Sequence, residues 1–290
     1  MQRQRRRPAA ILLAGIASAA ALLATAGPAS ANHPVLVEGS CLGAGAAQRT
    51  LVVPGTCGDY DGDGRIGTAE DTDEADRVFG TINAALGNTD LGATLNPTRA
   101  NQNGRVTIVA SGVFPEIVTI TAAGGNVTLE AAPGVDANID AVAQGVPGGA
   151  DRQASPGVIV NSPAERRVTI RNVMSRNWTE GFRILGYSRA TLDGVRAENN
   201  RDYGIRVQDY ARVAISHAQV NATGFRAAPG VDNTPNPGIG IEFEGQSRGS
   251  IFFTSVTGSF AGGLVRESTA KLTRDHVQLF DNNPDFVVEG

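Results

Sequence analysis

The chain has 290 residues, 41% of them hydrophobic, and it carries 25 Lys and Arg against 29 Asp and Glu. Its formal net charge is −4, and without the four arginines among the first ten residues the charge becomes −8. An acidic chain of this kind is a poor candidate for nucleic-acid binding, so we expect no nucleic-acid partner.

The first 31 residues have the pattern of a secretory signal peptide. Four arginines precede an apolar, alanine-rich stretch from Ala9 to Ala26, and Ala29-Ser30-Ala31 is a small-residue cleavage site. We therefore expect cleavage before Asn32, a secreted extracellular protein, and no membrane span after the signal is removed. A retained membrane anchor is the alternative, which the cleavage site disfavours.

Two cysteines, Cys41 and Cys57, lie in the segment 32–76. An even pair this close in an exported protein predicts a disulfide, because the extracellular environment is oxidising. Closing so short a loop would stabilise the fold by roughly 3 kcal/mol in the loop-entropy model. Two free thiols are the alternative.

The segment Asp59–Glu70 matches the calcium loop of an EF-hand position by position, including the glycine that the sharp turn requires. Four carboxylates held so close together would repel one another without a cation, so we expect bound Ca²⁺. A solvated acidic turn is the alternative. The predicted ligands are Asp59, Asp61, Asp63, the backbone carbonyl of Arg65, and the bidentate carboxylate of Glu70.

An apolar stripe after the loop, at Ala75, Val78, Phe79, Ile82 and Leu86, predicts an amphipathic helix. The residues before the loop have no helical pattern. The segment therefore resembles half an EF-hand, or a dockerin-type calcium loop, rather than a complete helix-loop-helix. This resemblance implies a structural Ca²⁺ that stabilises the N-terminal cap, not a calcium sensor.

Short strand-like phrases recur in the C-terminal half, each led by a glycine or another turn residue. They begin at Gly181, Gly204, Gly240, Gly263 and Asp285, at steps of 23, 36, 23 and 22 residues. A fixed period of this size is typical of a solenoid, and the long step indicates an insertion near residues 227–237. A second β-type phrase recurs in each unit and no unit contains a helical stretch, so we expect stacked parallel strands.

Stacked coils of this kind bury a continuous apolar core that one coil cannot bury alone. The predicted inward-facing residues are Phe182, Ile184, Ile205, Val207, Ile241, Phe243 and Leu264.

Two segments resemble the cap and first coil of a known fold. Thr81–Leu86 is similar to a capping helix, and Val106–Ile120 is similar to a strand, a "G-x-[YF]-x-E" turn at Gly112–Glu116, and another strand. In these features the chain resembles the right-handed parallel β-helix family, the pectin-lyase-like superfold, over about residues 77–290. The resemblance implies a carbohydrate-associated fold, but it transfers no catalytic residue, because the family's hydrolase, lyase and epimerase motifs are missing.

We therefore predict an all-β fold, a right-handed parallel β-helix solenoid with a short N-terminal calcium loop and a capping helix. The predicted organisation is a signal peptide at 1–31, an N-terminal segment at 32–76, and a β-helix domain of about six coils at 77–290. We expect a monomer.

Strands in register would also place outward-facing side chains in columns. One predicted column reads Arg183, Arg206, Glu242, Val265 and Val287, and a second reads Leu185, Gln208, Glu244, Glu267 and Glu289.

The candidate catalytic residues in these columns are Arg206, Glu242, Glu244 and Glu267. Two carboxylates could serve a glycoside hydrolase as acid and base, and an arginine beside a base could serve a polysaccharide lyase. The alternative, which we favour, is a salt-bridged surface in which Arg206 pairs with Glu242 on the adjacent coil.

A third predicted column lies in the other strand of each unit. The column beside it contains two histidines. Because they would lie two coils apart, His217 and His276 would be separated by roughly 10 Å, and polar surface is the alternative to a functional role. The column reads Arg171, Asp193, Ser216, Thr254 and Asp275, beside Asn172, Gly194, His217, Ser255 and His276.

Two functions stay open. The first is a secreted calcium-binding β-helix protein that binds or acts on extracellular polysaccharide, and the alternative is a non-catalytic extracellular or surface scaffold. Exposed aromatic side chains on one face, beside Arg183 and Arg206, would favour the first, and aromatic side chains scattered over the surface would favour the second. The aromatic residues grouped in the coils are Trp178, Tyr187, Tyr203 and Tyr210.

Overall fold

The computed structural model describes residues 35–37, 77–79, 81–86, 104–123, 125–141, 155–221, 223–224 and 238–289. All of them belong to one unit of the chain that spans residues 33–290. The predicted signal peptide, both cysteines and the loop Asp59–Glu70 lie outside the described residues, so the disulfide and the Ca²⁺ site stay predictions.

The described residues form 23 short strands and one helix. The helix is α1 (Ile82–Leu86). The strands of the first half are β1 (Val35–Val37), β2 (Arg77–Phe79), β3 (Gly104–Ile108), β4 (Gly112–Phe114), β5 (Val118–Ile120), β6 (Val127–Ala131), β7 (Ala137–Asp140), β8 (Pro156–Val160), β9 (Arg167–Arg171), β10 (Val173–Arg176), β11 (Glu180–Ile184) and β12 (Arg189–Asp193). The remaining strands are β13 (Arg196–Glu198), β14 (Tyr203–Val207), β15 (Arg212–Ser216), β16 (Gln219–Asn221), β17 (Ile239–Phe243), β18 (Arg248–Phe252), β19 (Ser255–Thr257), β20 (Gly262–Glu267), β21 (Lys271–Asp275), β22 (Gln278–Phe280) and β23 (Phe286–Glu289).

Three parallel sheets contain these strands, and from β3 onward every third strand returns to the same sheet. Sheet A has the order β2-β1-β3-β6-β9-β12-β15-β18-β21, sheet B runs from β4 to β22, and sheet C runs from β5 to β23, with seven strands each in sheets B and C. Three consecutive strands therefore make one coil. The chain is a right-handed parallel β-helix, as the sequence predicts. This is the hand that connections between parallel strands strongly prefer. It has seven coils in the described part, rather than about six.

The core is built from columns of inward-facing side chains that stack from coil to coil. One column of sheet A is completely buried and contains only branched aliphatic residues, each of which contributes roughly 1.5–3 kcal/mol by burial. The predicted inward residues of sheet C are buried as well, so the predicted core is confirmed there. The sheet A column is Val106, Leu129, Ile170, Leu192, Ile215 and Ile251.

The glycines that lead the repeated phrases form a column of their own at the start of the sheet C strands. A Cβ at Gly181 would lie 2.6 Å from the carbonyl oxygen of Gly204, and one at Gly204 would lie 2.5 Å from that of Gly240. Successive coils therefore approach too closely for any side chain at this position. The glycine at this point of each unit is a packing requirement of the stack.

The N-terminal cap differs in part from the helix predicted by the apolar stripe. Arg77–Phe79 is strand β2, which pairs with Val35–Val37, and the helix begins only at Ile82. The predicted helix is therefore wrong over residues 77–79, because pairing with a neighbouring strand prevails over a short helical periodicity. The capping helix near Thr81–Leu86 is confirmed. Its first amides donate to Glu116, with Ile82 N at 2.7 Å from Oε1 and Asn83 N at 2.9 Å from Oε2.

The register of one strand in sheet A also differs from the prediction. Ser216 pairs with Phe252, not Thr254, so Phe253 rather than Ser255 shares a column with His217. The reason is Gly249, which takes the inward position opposite Val213. A Cβ there would lie 2.1 Å from the Phe243 ring, so this ring fills the space that a branched side chain occupies in the preceding coil.

Candidate functional site

The two outward columns predicted on sheet C are confirmed by the strand register. Arg206 lies between Arg183 and Glu242 on adjacent coils, and Glu267 pairs with Glu289. These columns bring three of the four candidate catalytic residues into one cluster, which we call the Arg206 cluster: Glu180, Tyr203, Arg206, Glu242 and Glu244.

The guanidinium group of Arg206 is bound on every side within this cluster. Its Nε lies 3.0 Å from Glu242, its Nη1 lies 3.2 Å from Glu180, and its Nη2 lies 2.9 Å from Glu244. The ring of Tyr203 lies against it, 4.3 Å from the guanidinium carbon. The predicted pairing of Arg206 with Glu242 is confirmed. Glu180 also pairs with Arg206, although its position in the repeat does not predict this contact.

Burial changes the protonation behaviour of the cluster. It raises the pKa of the Glu242 carboxyl to about 7, and repulsion from Glu244 adds to the rise while Arg206 opposes it. Burial also raises the pKa of Glu180, against the attraction of Arg183 and Arg206. Burial would lower the pKa of Arg206, but the hydrogen bond to Glu244 and the surrounding charges hold it above its ordinary value.

Glu267, the fourth candidate, lies outside the Arg206 cluster. Its Oε2 accepts a hydrogen bond from the backbone amide of Gly245 at 2.6 Å, so it anchors a turn of the preceding coil. Because three carboxylates already occupy Arg206, this arginine has no free edge for a uronate carboxylate of a lyase substrate. The cluster is therefore an ion-pair network that occupies the whole guanidinium group of Arg206.

A second charged feature, which the sequence prediction missed, lies at the start of the sheet A strands. Five basic residues stand directly opposite one another on five successive coils, and all five are exposed. We call them the cation column: Arg167, Arg189, Arg212, Arg248 and Lys271. The signal was available in the sequence, because each of them opens its strand two residues after a turn.

No acidic side chain among the described residues forms an ion pair with the cation column. The next outward column is small and uncharged, so it neutralises nothing. Strands on adjacent coils are about 4.8 Å apart, so these exposed like charges lie near one another and repel. A bound anion would relieve this repulsion. The uncharged column is Thr169, Thr191, Ala214, Ser250 and Thr273.

A pair of tyrosines adjoins the cation column. The rings of Tyr187 and Tyr210 are stacked, with centroids 5.0 Å apart and planes 9° from parallel, and both side chains are exposed. They line a small cavity of about 150 Å³ together with Ala164, Arg189, Arg212, Gln246 and Arg248. Aromatic rings and arginines thus share one concave surface.

The predicted aromatic group is only partly confirmed as a surface feature. Trp178 is completely buried, and its indole nitrogen donates to the Ile139 carbonyl at 2.9 Å. Its assignment to a groove is therefore wrong, because the ring fills the core where the small residues Gly157 and Ser175 leave room. Tyr203 belongs to the Arg206 cluster, whereas Tyr187 and Tyr210 adjoin the cation column. The predicted grouping of the aromatic residues on one face beside Arg183 and Arg206 is therefore wrong.

Among the described residues, no group of three or more His, Cys, Asp or Glu side chains is placed to hold a metal ion. In the same part of the chain, no helix has the length and apolar character needed to cross a membrane.

Comparisons of the chain with protein-family models, with curated proteins and with solved structures found no match. The fold and the surface define a parallel β-helix protein with a cationic face.

Proposed function

We propose that this is a secreted, calcium-binding β-helix protein of the pectin-lyase-like kind that binds acidic extracellular polysaccharide. The observation that carries the proposal is the unpaired cation column. Its five charges extend over about 19 Å along the solenoid axis. A linear chain of sugars that each carry a carboxylate presents negative charges in a similar row.

Arginine suits this ligand because its planar guanidinium binds a carboxylate through two parallel hydrogen bonds. Four of the five residues in the column are arginines. The stacked pair Tyr187 and Tyr210 supplies rigid apolar surface and two hydroxyls at the edge of the same surface. Charge recognition and sugar contact would therefore come from one continuous face.

Ca²⁺ enters the proposal through the chemistry of its predicted ligands. Asp59, Asp61, Asp63, the Arg65 carbonyl and Glu70 supply the hard oxygen donors that Ca²⁺ prefers. When bound, the ion would offset the mutual repulsion of these carboxylates and stabilise the segment that contains them. We assign it no part in ligand binding.

Catalysis is supported less well than binding. The carboxyl of Glu242, with its pKa near 7, could act as a general acid, but it is 5% exposed and paired with Arg206. A hydrolase would release new reducing ends from a bound polysaccharide and lose this activity in Glu242→Gln. A non-catalytic scaffold would do neither.

The proposal is tested by measuring affinity for polygalacturonate, alginate and uncharged dextran with the double variant Arg189→Ser, Arg212→Ser. We expect binding of at least one acidic polymer, weakened at least about tenfold in the variant and weakened by added salt. The matched control is Arg105→Ser, Arg171→Ser, which removes two arginines that contact Glu130 on the same sheet. Equal losses in both variants, or no binding of any acidic polymer, would contradict the proposal.

A further inference from the structure

The corner at which each coil passes from sheet A to sheet B has an unusual composition in the last three coils. The residues of this column all have positive φ, a conformation that Gly and Asn adopt readily and that bulky residues adopt only with strain. The first two positions are Asn172 and Gly194, as expected. The next three are His217, Phe253 and His276, and Phe253 has a φ of 47°.

These three side chains form a continuous ring stack on the surface. The Phe253 ring lies between the two imidazoles, with its centroid 5.7 Å from that of His217 and 4.8 Å from that of His276. Phe253 is 57% exposed. A strained, exposed aromatic residue that orders two polar rings is a feature that packing of the core does not require.

Each imidazole is oriented by a carboxylate. His217 Nδ1 lies 3.0 Å from Asp193 Oδ1, and His276 Nδ1 lies 2.8 Å from Asp275 Oδ1. Because an ionised carboxylate only accepts, Nδ1 carries the proton, and Nε2 of the neutral ring is left as an acceptor on the opposite side. The hydrogen bond from His217 lowers the pKa of Asp193, and a second hydrogen bond from Ser216 adds to this effect.

A cavity of about 390 Å³ lies beside the ring stack. Gln219, Ser255 and Gln278 face it from successive coils and form the adjoining outward column. The first and third coils therefore present the same pair, an imidazole and an amide, while the middle coil presents a phenyl ring and a hydroxyl.

The lining of this cavity contains no carboxylate, and the two carboxylates that orient the imidazoles, Asp193 and Asp275, lie outside it. Its members are His217, Ala218, Gln219, Phe253, Thr254, Ser255, His276 and Gln278. Amides, hydroxyls and imidazole nitrogens both donate to and accept from the hydroxyl groups of an uncharged sugar, and the phenyl ring gives an apolar contact between them. This chemistry differs from that of the cation column.

The repeat of the site also restricts the ligand. A β-1,4-linked glycan turns successive sugars over, so that it presents the same edge at every second unit, and each unit is about as long as the distance between coils. We infer that this corner binds an uncharged β-1,4-linked glycan that lies along the solenoid axis. The inference does not rest on the proposed binding of acidic polysaccharide, because neither the residues nor the ligand are shared.

The test is a titration of the mature protein with cellohexaose, and with maltohexaose as an α-1,4-linked control. We expect binding of cellohexaose, at least about tenfold weaker binding of maltohexaose, and at least about tenfold weaker binding of cellohexaose by Phe253→Asn and by His217→Asn. Asparagine tolerates positive φ, so both variants should fold at least as well as the wild type, and their thermal unfolding verifies this.

A control variant at the other site, Tyr210→Ser, should bind cellohexaose like the wild type. The inference is overturned if the folded wild-type protein binds no cellohexaose. It is also overturned if Phe253→Asn and His217→Asn bind cellohexaose as tightly as the wild type, or if maltohexaose binds equally well.

Discussion

At the scale of single residues, similar side chains have different roles because their surroundings differ. Arg206 is enclosed by three carboxylates and a tyrosine ring, so its charge is satisfied within the protein. Arg189 and Arg212 are exposed and have only basic neighbours in their column. The charge of Arg206 therefore contributes to interactions within the fold, whereas the charges of Arg189 and Arg212 are accessible to a ligand.

Glu242 makes stability depend on pH. Its folded-state pKa of about 7 lies above the ordinary value of 4.5, so the folded protein holds a proton that the unfolded chain has lost over this range. The resulting stabilisation is complete below about pH 4.5 and is lost as pH rises through 7. After a discount for partial solvation, the loss is on the order of 2 kcal/mol.

Urea denaturation at pH 5 and pH 8 measures this dependence. Glu242→Gln should reduce the difference in unfolding free energy between the two pH values by about 1–3 kcal/mol. The control Glu267→Gln alters a carboxylate outside the Arg206 cluster and should leave the difference unchanged. An unaltered difference in Glu242→Gln would contradict the assignment.

Residue pairs within the repeat were predictable, and residue roles were predictable only in part. The phrase register alone predicts that Arg206 faces Glu242, and the structure confirms it. The burial of Trp178 was not predictable, because it depends on the space that Gly157 leaves in the preceding coil. The functions of all these residues stay proposals.

At the scale of the strand and its coil, the register depends on small residues that allow close approach. Sheet C was predictable because the same point in each repeated phrase is marked by a glycine, or by Asp285 in the last one. The sequence predicts the register of sheet A wrongly by two residues at β18. It aligns Ile251 with Val213, whereas Gly249 takes this inward position in the structure. The pattern of apolar residues in the sequence does not show that a ring from another strand, here Phe243, fills the inward position at Gly249.

The glycine column gives a prediction about stability. Gly204→Ala places a Cβ 2.4 Å from a Val220 methyl and 2.5 Å from the Gly240 carbonyl oxygen, so adjacent coils must move apart. We expect a loss of about 2–4 kcal/mol in the free energy of unfolding. Gly112→Ala is the matched control, because nothing lies within 4 Å of the added carbon. Similar stability of the two variants, measured by chemical denaturation, would contradict this account of the repeat.

At the scale of the whole molecule, the two described ends of the stack differ. The N-terminal side has α1, whose first amides are bound by Glu116. In the last described coil Arg274 takes the inward position of Ile251, and its guanidinium lies 4.1 Å from the centre of the Phe286 ring. A charged residue therefore replaces the branched aliphatic residue of the preceding coil, and the strands of this last coil are mostly exposed.

The predicted calcium loop belongs to this scale, because its expected effect is on the stability of the mature protein. Thermal unfolding with Ca²⁺ and with EDTA should show a higher melting temperature with Ca²⁺. The difference should vanish in Asp59→Ala and in Glu70→Ala. It should persist in Asp73→Ala, which removes a nearby carboxylate outside the ligand positions. The absence of any Ca²⁺ effect in the wild type would refute the site.

The central claim is that the cation column binds a row of negative charges that lies along the solenoid axis. Calorimetric titration with oligogalacturonates of increasing length tests it most directly. The account predicts that affinity rises with each added unit until about five charges are matched, since the column spans five coils at about 4.8 Å each, and then levels off. An affinity that does not change between two and six units would contradict it.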